Sequence, residues 1–112
     1  MVNIYTAQYK YSGEDRLDIT VKGNDPIGRI FAPTWEMVRL YKDYKNEINY
    51  VRSYHLLMQR SYRINRKIWE EILNRDSVTL VCFCKKFTFC HRYLLVEYLE
   101  KCGGKYLGER CI

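Results

Sequence analysis

The sequence predicts an α/β fold: a small layered domain with a mostly parallel sheet of about four strands and helices packed on it. Three observations carry that prediction. VTLVCFC at 78–84 is a continuous apolar and β-branched run, the signature of a strand buried on both faces. A long helical stretch separates it from the strand-like LDITV at 17–21, and a helical crossover between strands implies parallel pairing. The chain has 112 residues, 47% apolar and 29% charged, so residues 1–112 form a single domain with no room for a second core.

Residues 2–8, VNIYTAQ, alternate Val2, Ile4 and Thr6 with Asn3, Tyr5 and Ala7 and read as a first strand. YKYSGEDR follows as a loop with Ser12, Gly13 and Asp15 as turn residues. In the second strand Leu17, Ile19 and Val21 share one face, Asp18 and Thr20 the other. KGNDPIG reads as loop. Thr34 is a good N-cap for a first helix, with Glu36 in the first turn and Trp35, Val38, Leu40 and Tyr41 as its apolar stripe, ending near Asn46. A second helix spans about 47–62, where Ile48, Val51, His55, Met58 and Tyr62 recur at spacings of three and four. That places His55 in the core. A third runs from about 65 to 74 with Ile68, Trp69, Ile72 and Leu73 inward. Both tryptophans read as packing. After Cys90-His91-Arg92 a helix carries Leu94, Leu95, Tyr98 and Leu99 on one face, and Gly103-Gly104 ends it. KYLGER at 105–110 closes the chain as a short strand.

Composition narrows the function classes. No run reaches the roughly 18 apolar residues of a membrane-spanning helix, and MVNIYTAQYK lacks the basic start and apolar stretch of a signal peptide. A soluble cytoplasmic domain is expected, in a host's cytoplasm if the protein is viral, which its short Lys- and Tyr-rich character would suit. Five cysteines, at 82, 84, 90, 102 and 111, are an odd number and argue against a secreted disulfide framework. The net charge of +6 favours an anionic partner such as phosphate, nucleotide or nucleic acid. The acid-free stretch 51–68 carries Arg52, Arg60, Arg63, Arg66 and Lys67, with Tyr54 and Tyr62 available for stacking on bases. The eleven tyrosines also suit a homodimer face.

One stretch gathers chemistry. The loop after the central strand lies where open α/β sheets bind ligands, at the N-terminus of a helix with unpaired N–H groups. Three functional readings stand. The loop binds an anion, with Arg92, Lys85 and Lys86 supplying charge and Asp18 and Thr20 of the second strand as neighbours. Alternatively Cys90 is a low-pKa nucleophile, His91 its acid/base and Arg92 an oxyanion or phosphate clamp, giving catalytic residues Cys90, His91 and Arg92. Or Cys82, Cys84, Cys90 and His91 hold zinc, the one cofactor the residues suggest, although C-x-C-x5-C-H is not a standard finger spacing. The structural account keeps Cys82 and Cys102 as core and lets Arg92 bridge to an internal acid such as Asp18.

The stretch VTLVCFCKKFTFCHRYLLVEYLEKCGG resembles the signature of the domain-of-unknown-function family 488. There an apolar strand ends in a Cys, a Glu typically follows two residues later, and Cys-His-Arg opens a helix after a short loop. Cys82, Cys90, His91 and Arg92 match; Cys84 stands where the Glu is usual. IYTAQY, LDITV and FAPTW agree with the rest of the pattern. The resemblance implies a small α/β domain of cellular organisms or their viruses and no established activity. The change at Cys84 allows a Cys84–Cys90 disulfide or a metal site particular to this chain.

Overall fold

The computed structural model describes residues 1–83 and 89–110. Its elements are β1 (Asn3–Gln8), β2 (Arg16–Asp18), a 3₁₀ turn (Gly28–Phe31), α1 (Trp35–Tyr44), α2 (Glu47–Ile64), α3 (Arg66–Leu73), β3 (Ser77–Cys82), α4 (His91–Lys101) and β4 (Lys105–Glu109). The four strands form one sheet in the order β2-β3-β1-β4, every pair parallel. The expected small α/β domain is therefore present, with β3 as an interior strand beside β2.

Alternation along the strands sends Ile4, Leu17, Val78 and Leu80 into one core with Tyr54, Met58, Trp69, Leu95 and Leu99 of the helices. The other face of β1 and β3 carries Tyr5, Ser77 and Thr79 beside the buried Ala7 and Val81. There the Asp15 carboxylate accepts hydrogen bonds from Tyr11 (2.6 Å), Ser77 (2.8 Å) and Thr79 (2.9 Å) and pairs with Arg110 at 3.3 Å. The Arg110 guanidinium lies 3.6 Å from the centre of the Tyr5 ring, which ties the end of β4 to β1.

This network sets a pH dependence. Burial acts to raise the Asp15 pKa, but the three hydroxyls and Arg110 outweigh it and hold the carboxyl below its ordinary value. A folded pKa below the unfolded one gives stability that is present at neutral pH and lost as pH falls through the folded value. Asp15→Asn should therefore flatten the acid limb of a Tm-against-pH curve below about pH 4. An unchanged acid limb in thermal melts would contradict this.

Several local expectations are corrected. β2 stops at Asp18 because the Asp18 carboxylate takes the backbone N–H of Thr20 at 2.9 Å and its hydroxyl at 2.7 Å, turning the chain out of the strand. A 3₁₀ turn starts at Gly28, the last residue of the segment read as loop, and is packed so closely that a Cβ on Gly28 would lie 1.9 Å from the Asp18 carbonyl oxygen. Thr34 caps α1 through the N–H of Met37, as expected, but no residue of α1 is fully buried and Trp35 is exposed. Lys45, in the left-handed region at φ 53°, ends α1, and Asn46 caps α2 instead of terminating α1.

On α2 the buried stripe is Tyr50, Tyr54, Met58 and Ser61, so Ile48 and Val51 face solvent. His55 is likewise exposed, in hydrogen bonds with Tyr98 and Gln59. The stripe turns on two hydroxyls. Tyr54 donates to the Phe31 carbonyl and Ser61 to that of Ile30, each at 2.7 Å, so both polar groups are satisfied inside the core. Cys102, expected in the core, is exposed at the C-terminus of α4.

Candidate active site

The carboxyl ends of β2 and β3 and the N-terminus of α4 converge on a cleft of about 200 Å³. Its lining includes Thr20, Tyr41, Tyr50, Phe83, Phe89 and, at its thiol end, Cys82, Cys90 and His91. The wall is aromatic: Phe89 stacks on Tyr41 at 4.9 Å and meets the edge of Tyr50 at 5.4 Å between ring centres.

Cys90 occupies the N-cap position of α4 with extended backbone, and its side chain makes no capping hydrogen bond. An oxygen side chain there would fold back onto the helix N–H groups. Sulfur is a poor acceptor, so the thiol is left beside the positive end of the helix dipole without being consumed by it. The N-cap Cys also makes His91 the first helical residue, which turns its ring toward β2.

His91 is held by backbone. Its Nε2 lies 2.7 Å from the carbonyl oxygen of Ile19, just beyond β2. A carbonyl only accepts, so Nε2 carries the hydrogen and Nδ1 presents its lone pair in the neutral ring. That Nδ1 is 3.8 Å from the Cys90 sulfur. Burial pushes the His91 pKa below the ordinary imidazole value, and the Arg92 charge acts the same way; the Cys82 sulfur and the Ile19 carbonyl oppose it. The neutral imidazole is thus favoured at neutral pH. Tyr54 packs edge-on against the ring at 5.8 Å.

The sulfurs of Cys82 and Cys90 lie 2.6 Å apart. Cys82, Cys90 and His91 together offer three metal-ligating atoms within 4.8 Å of one another. Three of the four donors expected for zinc are thus brought together; the fourth, Cys84, lies outside the described residues, as do Lys85 and Lys86.

The other expected residues have different surroundings. Arg92 is completely buried, where its guanidinium donates to the Tyr93 hydroxyl at 3.0 Å and pairs with Glu109 of β4 at 3.4 Å. Burial opposes its charge, but the Tyr93 bond and the Cys90, Cys82 and Glu109 charges raise its pKa. Asp18 is buried, its carboxylate engaged by Thr20 and by the Tyr9 hydroxyl at 3.0 Å. Thr20 does reach the cleft wall. Arg52, Arg60, Arg63, Arg66 and Lys67 are all exposed. They do not lie on one continuous helix, because Asn65 separates α2 from α3, and Arg66 pairs with Glu70 at 3.3 Å. Of the eleven tyrosines only Tyr44 is exposed; the rest are buried or half-buried within the fold.

Two features escape a reading of residue types. The Ile19 carbonyl is backbone and leaves no signature in the sequence. The aromatic wall draws Tyr41, Tyr50, Phe83 and Phe89 from separate parts of the chain, a grouping that no local spacing shows.

No match is found among curated proteins or among solved structures. The model of the DUF488-N3a family, described as the active DUF488-N3 subclade, matches residues 3–103, from the first residue of β1 past the end of α4 and across the whole Cys-His-Arg element. By that match the chain belongs to the DUF488 family.

Proposed function

We propose that the cleft is an active site in which Cys90 is the nucleophile and His91 its base, acting on a ring-bearing anionic ligand of the nucleotide class. The observation that carries this reading is the hydrogen bond from His91 Nε2 to the Ile19 carbonyl, which leaves the Nδ1 lone pair toward the Cys90 thiol. A nucleophile, a base within reach and a third group orienting the base is the general pattern of an activated thiol. The thiol proton passes to Nδ1. The resulting imidazolium keeps its bond to Ile19, and the thiolate gains from the positive end of α4. The description of the matched subclade as active agrees with chemistry at this position.

The ligand class follows from the wall and the charge. The lining is mostly apolar and aromatic, which suits the face of a flat ring such as a nucleobase. The net charge of +6 favours a phosphate on the same ligand. With Arg92 enclosed by Glu109 and Tyr93, recognition of that phosphate falls to the N–H groups of the first turn of α4 and to the basic surface.

Iodoacetamide labelling near neutral pH with peptide mapping tests the reading. Cys90 should be alkylated first, and His91→Gln should slow it by roughly tenfold or more, the effect of a thiol pKa rising by one unit. Equal, slow labelling of all five cysteines would sink the proposal. So would about one equivalent of zinc in protein purified without chelator, since Cys82, Cys90 and His91 would then be its ligands.

A further inference from the structure

The nucleophile reading leaves Cys82 without a role, although its sulfur touches that of Cys90. We infer that Cys82 is the resolving thiol of Cys90: the pair forms a reversible disulfide when a peroxide enters the cleft, and this switches the nucleophile off. The inference rests on the proposed function in one respect, that Cys90 is the thiol oxidised first.

Placement supports it. Cys82 is the last residue of β3, fixed in register opposite Gln8 of β1, and Cys90 caps α4. Two regular elements therefore set the sulfurs 2.6 Å apart, and small side-chain rotations suffice to reach the 2.03–2.05 Å of a bond. Both side chains are nearly inaccessible elsewhere, at 2% and 4% exposure, yet both line the cleft. An oxidant small enough for the cleft reaches them there. Cys102 is no competitor, because it follows the eleven residues of α4, roughly 16 Å of helix away from Cys90.

The chemistry balances with a hydroperoxide as the only co-reactant. The Cys90 thiolate attacks the peroxide oxygen; the S–O bond forms, the O–O bond breaks, and the alkoxide or hydroxide leaves and is protonated. Cys90 is now a sulfenic acid. The Cys82 sulfur attacks it; the S–S bond forms, the S–O bond breaks, and hydroxide leaves with the Cys82 proton as water. The two cysteines together lose two electrons and the peroxide gains two. A dithiol reverses the change by exchange. His91 Nδ1, already 3.8 Å from the Cys90 sulfur, is a base positioned to take the first proton.

The test treats the reduced protein with a few equivalents of hydrogen peroxide, enough for more than one oxidation step at Cys90, blocks remaining thiols with N-ethylmaleimide and maps non-reduced peptides by mass spectrometry. A Cys82–Cys90 link should dominate. Iodoacetamide labelling of Cys90 should fall at least about tenfold and return with dithiothreitol, because a disulfide sulfur has no thiolate to alkylate. In Cys82→Ala, or Cys82→Ser if the first variant folds poorly, the same peroxide should carry Cys90 on to the sulfinic acid. A dominant link from Cys84 to Cys90, or sulfinic Cys90 in the parent with Cys82 unlinked, would overturn the inference. Selective alkylation of Cys90 without a Cys82–Cys90 link removes this inference and leaves the nucleophile standing. A link formed by diamide together with unselective alkylation keeps the pair and removes the nucleophile.

Discussion

Trp69→Ala is expected to lower the unfolding free energy by about 3–5 kcal/mol, a large share of what holds a domain of this size together. Trp69 is fully buried on α3. Its ring meets Phe31 edge-on at 4.8 Å and lies within 5.4 Å of Tyr62 and 6.3 Å of Tyr98. Truncation removes the largest side chain where the 3₁₀ turn, α2, α3 and α4 meet, and the surrounding rings cannot all collapse into the space. It also takes away a donor. Trp69 Nε1 donates to Ser61 at 3.1 Å, and Ser61 passes its own hydrogen to the Ile30 carbonyl, so the chain of satisfied buried groups is cut at its head. Trp69→Phe keeps most of the volume and should cost less. Equilibrium urea denaturation followed by circular dichroism measures both. A cost for the alanine variant below about 1 kcal/mol, the size of an ordinary surface change, would mean that the core is organised elsewhere.

Glu109→Ala should cost about as much, roughly 3–5 kcal/mol, by removing one partner of a buried pair. Both side chains are almost wholly out of solvent, Arg92 at 0% and Glu109 at 3%. The Glu109 carboxylate also accepts from Thr6 and from Tyr93. Without it the Arg92 charge keeps its desolvation cost and loses its counter-charge. The double variant Arg92→Met, Glu109→Leu should recover much of the loss, because an ion pair replaced by well-packed apolar groups is often neutral. A double variant no more stable than Glu109→Ala would show that Arg92 stabilises the fold by some other contact. The cycle also bears on the role first expected of Arg92. A guanidinium locked to β4 positions the first turn of α4, and with it Cys90 and His91.

The sequence was most legible where one physical pattern dominated. The apolar run 78–84 reads as an interior strand because only a strand covered on both faces carries so few polar residues, and β3 over Ser77–Cys82 is that strand. The helical stretch before it reads as a crossover, and parallel pairing follows. Legibility failed where two patterns had the same period. On α2, Ile48, Val51, His55, Met58 and Tyr62 repeat as regularly as Tyr50, Tyr54, Met58 and Ser61, and the sequence pattern alone does not choose the second set. The second set is buried because Tyr54 and Ser61 find carbonyl partners in the 3₁₀ turn, which a helix read in isolation cannot show. The same holds at the site. Cys90 and His91 stand out as reactive types beside a strand end. The carbonyl that selects the His91 tautomer, and the acid that encloses Arg92, come from distant parts of the chain. Glu109 belongs to the final strand, and Asp18, the acid that sequence suggested, serves its own turn instead.

The strand order has a consequence for how the molecule is made. β1 leaves the ribosome well before both strands it pairs with, at 77–82 and 105–109, because α1, α2 and α3 are made in between. The N-terminal segment must therefore wait as an unpaired, apolar stretch while α1, α2 and α3 are made, and no part of the sheet involving it can close before β3 appears. Folding dominated by such distant pairings is slow and exposes strand edges while it lasts. The waiting period ends with the residues that build the site, since the stretch that carries β3, Cys90 and α4 is also the one that lets the sheet form.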